Sequence, residues 1–170
     1  ELWHKIRNGE SLTYSWNIGM GTNFTSLFAY YLASPSNWFV ALFPQKYTIE
    51  IMNAFIILKI AGSSLSLTYY LTKHNNNKHV IAAIFGMFYG MSGFIAAYSW
   101  NIMWLDCVIL IPLIMLGLER LVNENRCIFY CITLGLCIFT NYYIAIMVCL
   151  SVVIYYVVLM IAYNGIKSPM

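Results

Sequence analysis

Two apolar runs, residues 80–98 and 107–121, are separated only by Ser99-Trp100-Asn101-Ile102-Met103-Trp104-Leu105-Asp106. Each run approaches the roughly 20 residues that a helix needs to cross a bilayer, at about 1.5 Å of rise per residue. A link this short leaves no room for a crossover. The two runs must therefore be neighbouring helices joined at one membrane face. The link carries two tryptophans, an asparagine and Asp106, the only aspartate in the chain. Any chemistry is expected near this turn.

Composition supports the membrane assignment. Charged residues are 9% and hydrophobic residues 61% of the chain, and the mean hydropathy is +0.72. A soluble domain carries about 25% charged residues, so the surplus apolar surface has to face lipid. The net charge of +3 includes no Lys/Arg cluster of the kind nucleic-acid binding needs, and no nucleic-acid partner is expected. The five cysteines, Cys107, Cys127, Cys131, Cys137 and Cys149, lie in or beside apolar runs. Cys127 and Cys131 would share a helix face, but no His or second pair completes a zinc pattern, and all five read as small apolar packing residues.

The expected fold is all-α: a polytopic membrane protein of about five transmembrane helices, spanning about 47–71, 80–98, 107–121, 127–139 and 144–163. Residues 1–46 form an outer loop region with short helices ahead of the core at 47–170. In that region residues 2–7 read as a short interfacial helix, Asn8-Gly9-Glu10 as a turn and residues 24–32 as another short helix ended by Ser34-Pro35-Ser36-Asn37. Residues 14–23 hold too many Gly and Asn for a lipid-facing helix. Trp16, Tyr30, Tyr31 and Trp38 fit an interfacial aromatic belt. Gly62, Ser63, Ser64 and Ser66, and then Gly86, Gly90 and Gly93, suit close helix approach. Pro112 falls inside a span, where it frees a carbonyl. Glu119-Arg120 and Asn123-Glu124-Asn125-Arg126 mark the face opposite the turn. Residues 127–163 are interrupted by Thr140-Asn141-Tyr142-Tyr143, read as a tight turn between two spans, with a single long broken helix as the other reading.

Lys59 sits near the middle of the first span. A cation at that depth is costly and faces protein or water, as part of a functional site or of a structural ion pair. If Lys73 and Lys78 are cytoplasmic, so are Arg120, Arg126 and Lys167. Lys5, Arg7 and Lys46 then stand against the rule. Residues 1–46, 99–106 and 140–143 share the outer face. That face collects Asp106, Asn101, Trp100, Trp104, Asn141, Tyr142, Tyr143, Trp16 and Asn17, with Lys59 opening toward it from within the bilayer. Such a set suits an anionic lipid-linked substrate with a sugar head. The cation would meet the phosphate, the carboxylate a divalent metal ion or an acceptor hydroxyl, and the aromatics the sugar. The competing structural role for Asp106 is to cap the third helix.

Seven stretches in order carry a resemblance: Tyr14-Ser15-Trp16-Asn17-Ile18-Gly19-Met20-Gly21; Tyr30-Tyr31-Leu32-Ala33-Ser34-Pro35; Leu58-Lys59; Tyr89-Gly90-Met91-Ser92-Gly93-Phe94; Asn101-Ile102-Met103-Trp104-Leu105-Asp106; Pro112-Leu113-Ile114-Met115-Leu116-Gly117-Leu118-Glu119-Arg120-Leu121; and Asn141-Tyr142-Tyr143-Ile144-Ala145. The ordered set resembles the YfhO family of bacterial polytopic membrane proteins. The resemblance implies a glycosyltransferase of the GT-C type in the bacterial plasma membrane. Its donor would be a polyprenyl-phosphate sugar, and its acceptor a cell-wall polymer such as lipoteichoic acid. By the same analogy the principal catalytic acid belongs to the first outer loop. Glu10 is a possible match but sits in a turn-like stretch, so that acid is expected ahead of Glu1, with Asp106 as a second-loop acid that assists metal binding or positioning.

The chain opens at Glu1 without an initiator Met or a signal peptide and ends in Ile166-Lys167-Ser168-Pro169-Met170. It reads as an internal piece of a larger membrane protein. A transporter or flippase for a lipid-linked or polar solute is the alternative function, since intramembrane Lys and broken helices mark transporters too. A structural subunit without chemistry is the third.

Overall fold

A computed structural model describes residues 2–75 and 79–167. Asn76, Asn77 and Lys78 of the polar link, Glu1, and Ser168, Pro169 and Met170 lie outside the described residues. The protein is an all-α polytopic membrane protein. Among the described residues four helical segments are long and apolar enough to cross a bilayer: Gln45–His74, His79–Tyr98, Ile102–Glu124 and Tyr142–Ala162. The segment expected at 127–139 is a separate apolar helix, Ile128–Thr140, of 13 residues. At about 1.5 Å per residue it covers some 20 Å, short of a hydrocarbon core of about 30 Å.

The region before the first span is compact and polar. Helix α1 (Leu2–Asn8) ends at Gly9, whose φ of +65° makes the expected turn. A short antiparallel hairpin, β1 (Tyr14–Ser15) and β2 (Thr22–Asn23), takes up the Gly- and Asn-rich stretch. Gly21 is required there: at φ +99°, a Cβ would stand 2.1 Å from the Tyr14 hydroxyl. Lys5 is buried and ties helix to hairpin by donating to the carbonyls of Ser11 (2.8 Å) and Tyr14 (2.9 Å). Helix α2 (Phe24–Leu27) passes into a wider π-turn at Phe28–Leu32, followed by α3 (Pro35–Trp38).

Helix α4 (Thr48–His74) runs beside α5 (His79–Gly90). Of the close approaches expected in the second run, those at Gly86 and Gly90 are real, whereas a Cβ on Gly93 would meet nothing within 4 Å. A Cβ on Gly86 would meet Thr68 Oγ1 at 2.0 Å and the Ser64 carbonyl oxygen at 2.6 Å, and one on Gly90 would meet Ser64 Oγ at 1.9 Å. Residues 80–98, read as one span, are two helices. Ser92 is extended (φ −63°, ψ 152°) and starts α6 (Gly93–Tyr98). The Gly-Met-Ser-Gly sequence at 90–93 has little side-chain packing to keep a helix continuous.

Helix α7 (Ile102–Glu124) is the centre of the bundle. In its apolar window 56% of residues are buried, against 17% in α4. It starts five residues earlier than the span expected from the sequence, because Ile102, Met103 and Leu105 are core residues. Asp106 therefore lies inside the helix and cannot cap it. The capping position belongs to Asn101, whose carbonyl accepts from Trp104 N–H (2.9 Å). Lys59 and Tyr70 of α4 reach Asp106 and Glu119 of α7 in the same order, so these two helices run parallel. Helix α8 (Ile128–Thr140) returns antiparallel, with Tyr130 against Gly117 and Thr140 against Cys107. The extended Asn141 then turns the chain into α9 (Tyr142–Lys167), the hairpin form of the two readings. Cys107, Ile114 and Leu118 of α7 pack with Cys137 of α8 and Ala145, Val148 and Val152 of α9 to form the main core. Large apolar side chains such as Leu65, Phe88, Leu150 and Ile154 stand exposed on the outer helix faces, as lipid contact requires.

Pro112 frees the carbonyl of Val108, four residues back. Tyr89 fills the gap by donating its hydroxyl to that oxygen at 2.9 Å. Tyr89→Phe is expected to cost about 0.6–1 kcal/mol, read as a lowered unfolding midpoint of the purified protein; an unchanged midpoint would show that the carbonyl needs no partner.

Candidate functional site

The organising feature is a buried ion pair. Lys59 Nζ lies 2.8 Å from Asp106 Oδ2 and 3.2 Å from the Ile102 carbonyl oxygen. The Lys59 side chain is 6% exposed and that of Asp106 15%, so neither charge is solvated well enough to stand alone. The sequence explains the placement. In α4, Lys59, Ser63, Ser66 and Tyr70 recur at 4, 3 and 4 residues and form a polar stripe along the face toward α7. The Ser63 and Ser66 hydroxyls bond back to their own helix, at Ile60 (2.7 Å) and Ser63 (2.9 Å). They keep the stripe narrow while the two ends carry the interhelical contacts. Asp106 Oδ1 makes no hydrogen bond among the described residues, so one carboxylate oxygen keeps its accepting capacity.

The residues expected to share one face fall into three groups. Asn101 is buried at the start of α7, five residues before Asp106. Trp104 is two positions from Asp106, a spacing that points side chains to different sides of a helix. Its ring packs on Tyr98 at 5.7 Å, and its Nε1 is buried without a partner among the described residues. The second group is built on Asn141, which is fully buried. Its Nδ2 donates to the Tyr30 carbonyl (3.1 Å) and its Oδ1 accepts from Ile144 N–H (3.0 Å), so one side chain caps α9 and holds the loop region to the bundle. Tyr142 and Tyr143 are exposed, with rings 6.0 and 6.2 Å from that of Tyr30. Cys107 beside Asp106 contacts Thr140 beside Asn141 (3.7 Å), which makes the first two groups neighbours. Trp16 and Asn17 form the third group, in the hairpin loop. Trp16 is 77% exposed and packs edge-on to Tyr14 (4.9 Å), and Asn17 N–H is held by Ser15 Oγ (3.3 Å). No contact among the described residues ties this group to the ion pair or to Asn141.

The other end of the bundle holds a cluster that sequence reasoning missed. Glu119 is buried inside α7 rather than marking a solvated face. It accepts from Tyr70 (2.8 Å) and from Tyr155, and His74 Nδ1 lies 3.1 Å from both its oxygens. The signal was present: Tyr70 and His74 extend the stripe that begins at Lys59.

Among the described residues no three His, Cys, Asp or Glu side chains come together as metal ligands. Asp106 faces the ammonium group of Lys59 instead of a second acid.

The fold and its paired intramembrane charges define a multi-pass membrane protein. The family model described as bacterial membrane protein YfhO matches residues 1–169, and the chain belongs to that family. No curated protein and no solved structure matches the chain.

Proposed function

We propose that the protein is a membrane glycosyltransferase of the GT-C type, moving a sugar from a polyprenyl-phosphate donor to a cell-wall polymer such as lipoteichoic acid. The loop end of the bundle would face outward, in keeping with the basic residues at the opposite end. The observation that carries the reading is the Lys59–Asp106 pair, withdrawn from water one turn inside the loop end of α7, in a chain of this family. In the transfer, an acceptor hydroxyl forms a bond to the anomeric carbon, the bond to the donor phosphate breaks, and the hydroxyl proton leaves to a base. Lys59 offers the positive charge that favours the leaving phosphate. Its contact is with Asp106 Oδ2, which leaves Oδ1 to orient or accept from the hydroxyl. The exposed rings of Tyr142, Tyr143 and Trp100 supply flat apolar faces suited to a sugar. Asn101 and Asn141 are buried and would hold this end of the bundle in place behind those rings, while Trp104 lies on another side of α7 and Trp16 and Asn17 stand apart in the hairpin loop. A divalent ion would need ligands beyond Asp106, and no step passes through one.

Membranes carrying the full-length protein and a polyprenyl-phosphate sugar test this reading. Asp106→Asn and Lys59→Ala are each expected to lower transfer at least tenfold at matched protein levels. Unchanged transfer in both variants would remove the site assignment, and no transfer by the wild type with any cell-wall acceptor would remove the enzyme. The break between α5 and α6 supports a second reading, a transporter or flippase, because interrupted spans line transport sites. Flux of a lipid-linked solute without sugar transfer would select it.

A further inference from the structure

At the Glu119 end, a cavity of about 380 Å³ opens between the last turns of α4 and α7 and the flank of α9. Lys73, Arg120 and Asn123 line its polar rim, and Leu116 and Leu159 its apolar wall. The rim also holds two carboxylates, and both are already engaged. Glu119 accepts from Tyr70 and Tyr155 and stands against His74. Glu124 pairs with Arg126 at 3.6 Å. The two cations are not so engaged. Neither Lys73 nor Arg120 makes an ion pair among the described residues. Each instead rests over a ring, Lys73 on Tyr69 (5.9 Å) and Arg120 on Phe129 (5.3 Å). The Tyr70–Tyr155 hydroxyl contact (3.3 Å) joins α4 to α9 beside the cavity.

We propose that this cavity binds the phosphate of an anionic membrane lipid. Two cations without counter-ions and a carboxamide provide for the phosphate, and the buried Leu116 with the half-buried Leu159 offers an apolar surface beside that rim for the start of an acyl chain. A basic pocket between helix ends is the arrangement that captures lipid headgroups, and the guanidinium of Arg120 matches a phosphate's oxygens two at a time. The proposal does not depend on the glycosyltransferase reading, since the site lies at the opposite end of α7 from Asp106.

The test uses the full-length protein in phosphatidylcholine nanodiscs containing increasing phosphatidylglycerol, with the unfolding temperature as the readout. A saturable rise is expected. Lys73→Gln and Arg120→Gln should each raise the half-saturating lipid fraction at least fivefold. Arg120→Lys should shift it less than Arg120→Gln, and Lys46→Gln, a single-charge change at the other end of the chain's first span, should leave it unchanged. A parallel titration with inorganic phosphate should leave the unfolding temperature where it was. A rise that never saturates, or one that is the same in the Gln variants as in the wild type, would overturn the site. A rise with inorganic phosphate that equals the lipid effect would overturn the lipid as its ligand.

Discussion

Replacing Lys59 by Ala is expected to destabilise the full-length protein by about 3 kcal/mol, chiefly because an unpaired charge stays buried. The variant leaves Asp106 only 15% exposed, with its partner gone. The carbonyl of Ile102 is deprived of its outside donor as well. Removing one member of a buried pair costs about 3–5 kcal/mol, and the residual exposure of Asp106 places this case at the lower end. The double variant Lys59→Met/Asp106→Leu should recover most of the stability, because no uncompensated charge remains. Unfolding in detergent, followed for both single variants and the double, gives the coupling energy directly. A double variant destabilised by the sum of the two single losses would show that the pair is not coupled. The same three proteins separate structure from chemistry. If the pair serves transfer, the double variant regains stability and stays inactive. A double variant that regains both would make the pair purely structural and end the site assignment.

The parts of the fold that were legible follow local rules. The apolar runs marked the helices, Gly86 and Gly90 the close approach to α4, and Asn141 the turn into α9. The boundaries near the loop end were less legible. Asp106 looked like the end of a link because a lone carboxylate inside a span is unfavourable. The cost is removed by Lys59, 47 positions away in sequence, which no local window contains. The break at Ser92 was hidden for a related reason: mean hydropathy is blind to a pair of glycines and a serine that interrupt a helix without lowering its apolar character. Of the candidate site, Lys59 and Asp106 were each visible alone, and their pairing was not. Trp104 and Asp106 looked like companions on a short turn; once both lie on a helix, two residues of separation sends them to different sides. Glu119 resembled a boundary marker because an acid next to an arginine near a span's end is ordinarily solvated.

That misread acid makes the second large effect. Glu119→Ala should destabilise the protein by about 2–4 kcal/mol. The carboxylate joins three helices: Tyr70 and His74 come from α4, Tyr155 from α9, and Glu119 itself from α7. A hydrogen bond between membrane helices contributes about 0.6 kcal/mol on average and up to about 1.7; bonds to an ionised acceptor lie at the high end of such ranges. With the acceptor gone, the two hydroxyls keep only each other, at 3.3 Å. Glu119→Gln retains an oxygen for one tyrosine and should cost about half as much. Tyr70→Phe and Tyr155→Phe remove one donor each and should cost about 1 kcal/mol apiece. Their effects should not add to that of Glu119→Ala, since all three act through one carboxylate. The discriminating measurement is the triple variant Tyr70→Phe/Tyr155→Phe/Glu119→Leu, which removes both hydroxyls and the carboxylate together. It should be more stable than Glu119→Ala, because the penalty lies in polar groups left buried without partners. A triple variant less stable than Glu119→Ala would mean that the three side chains act through packing and that their hydrogen bonds contribute little.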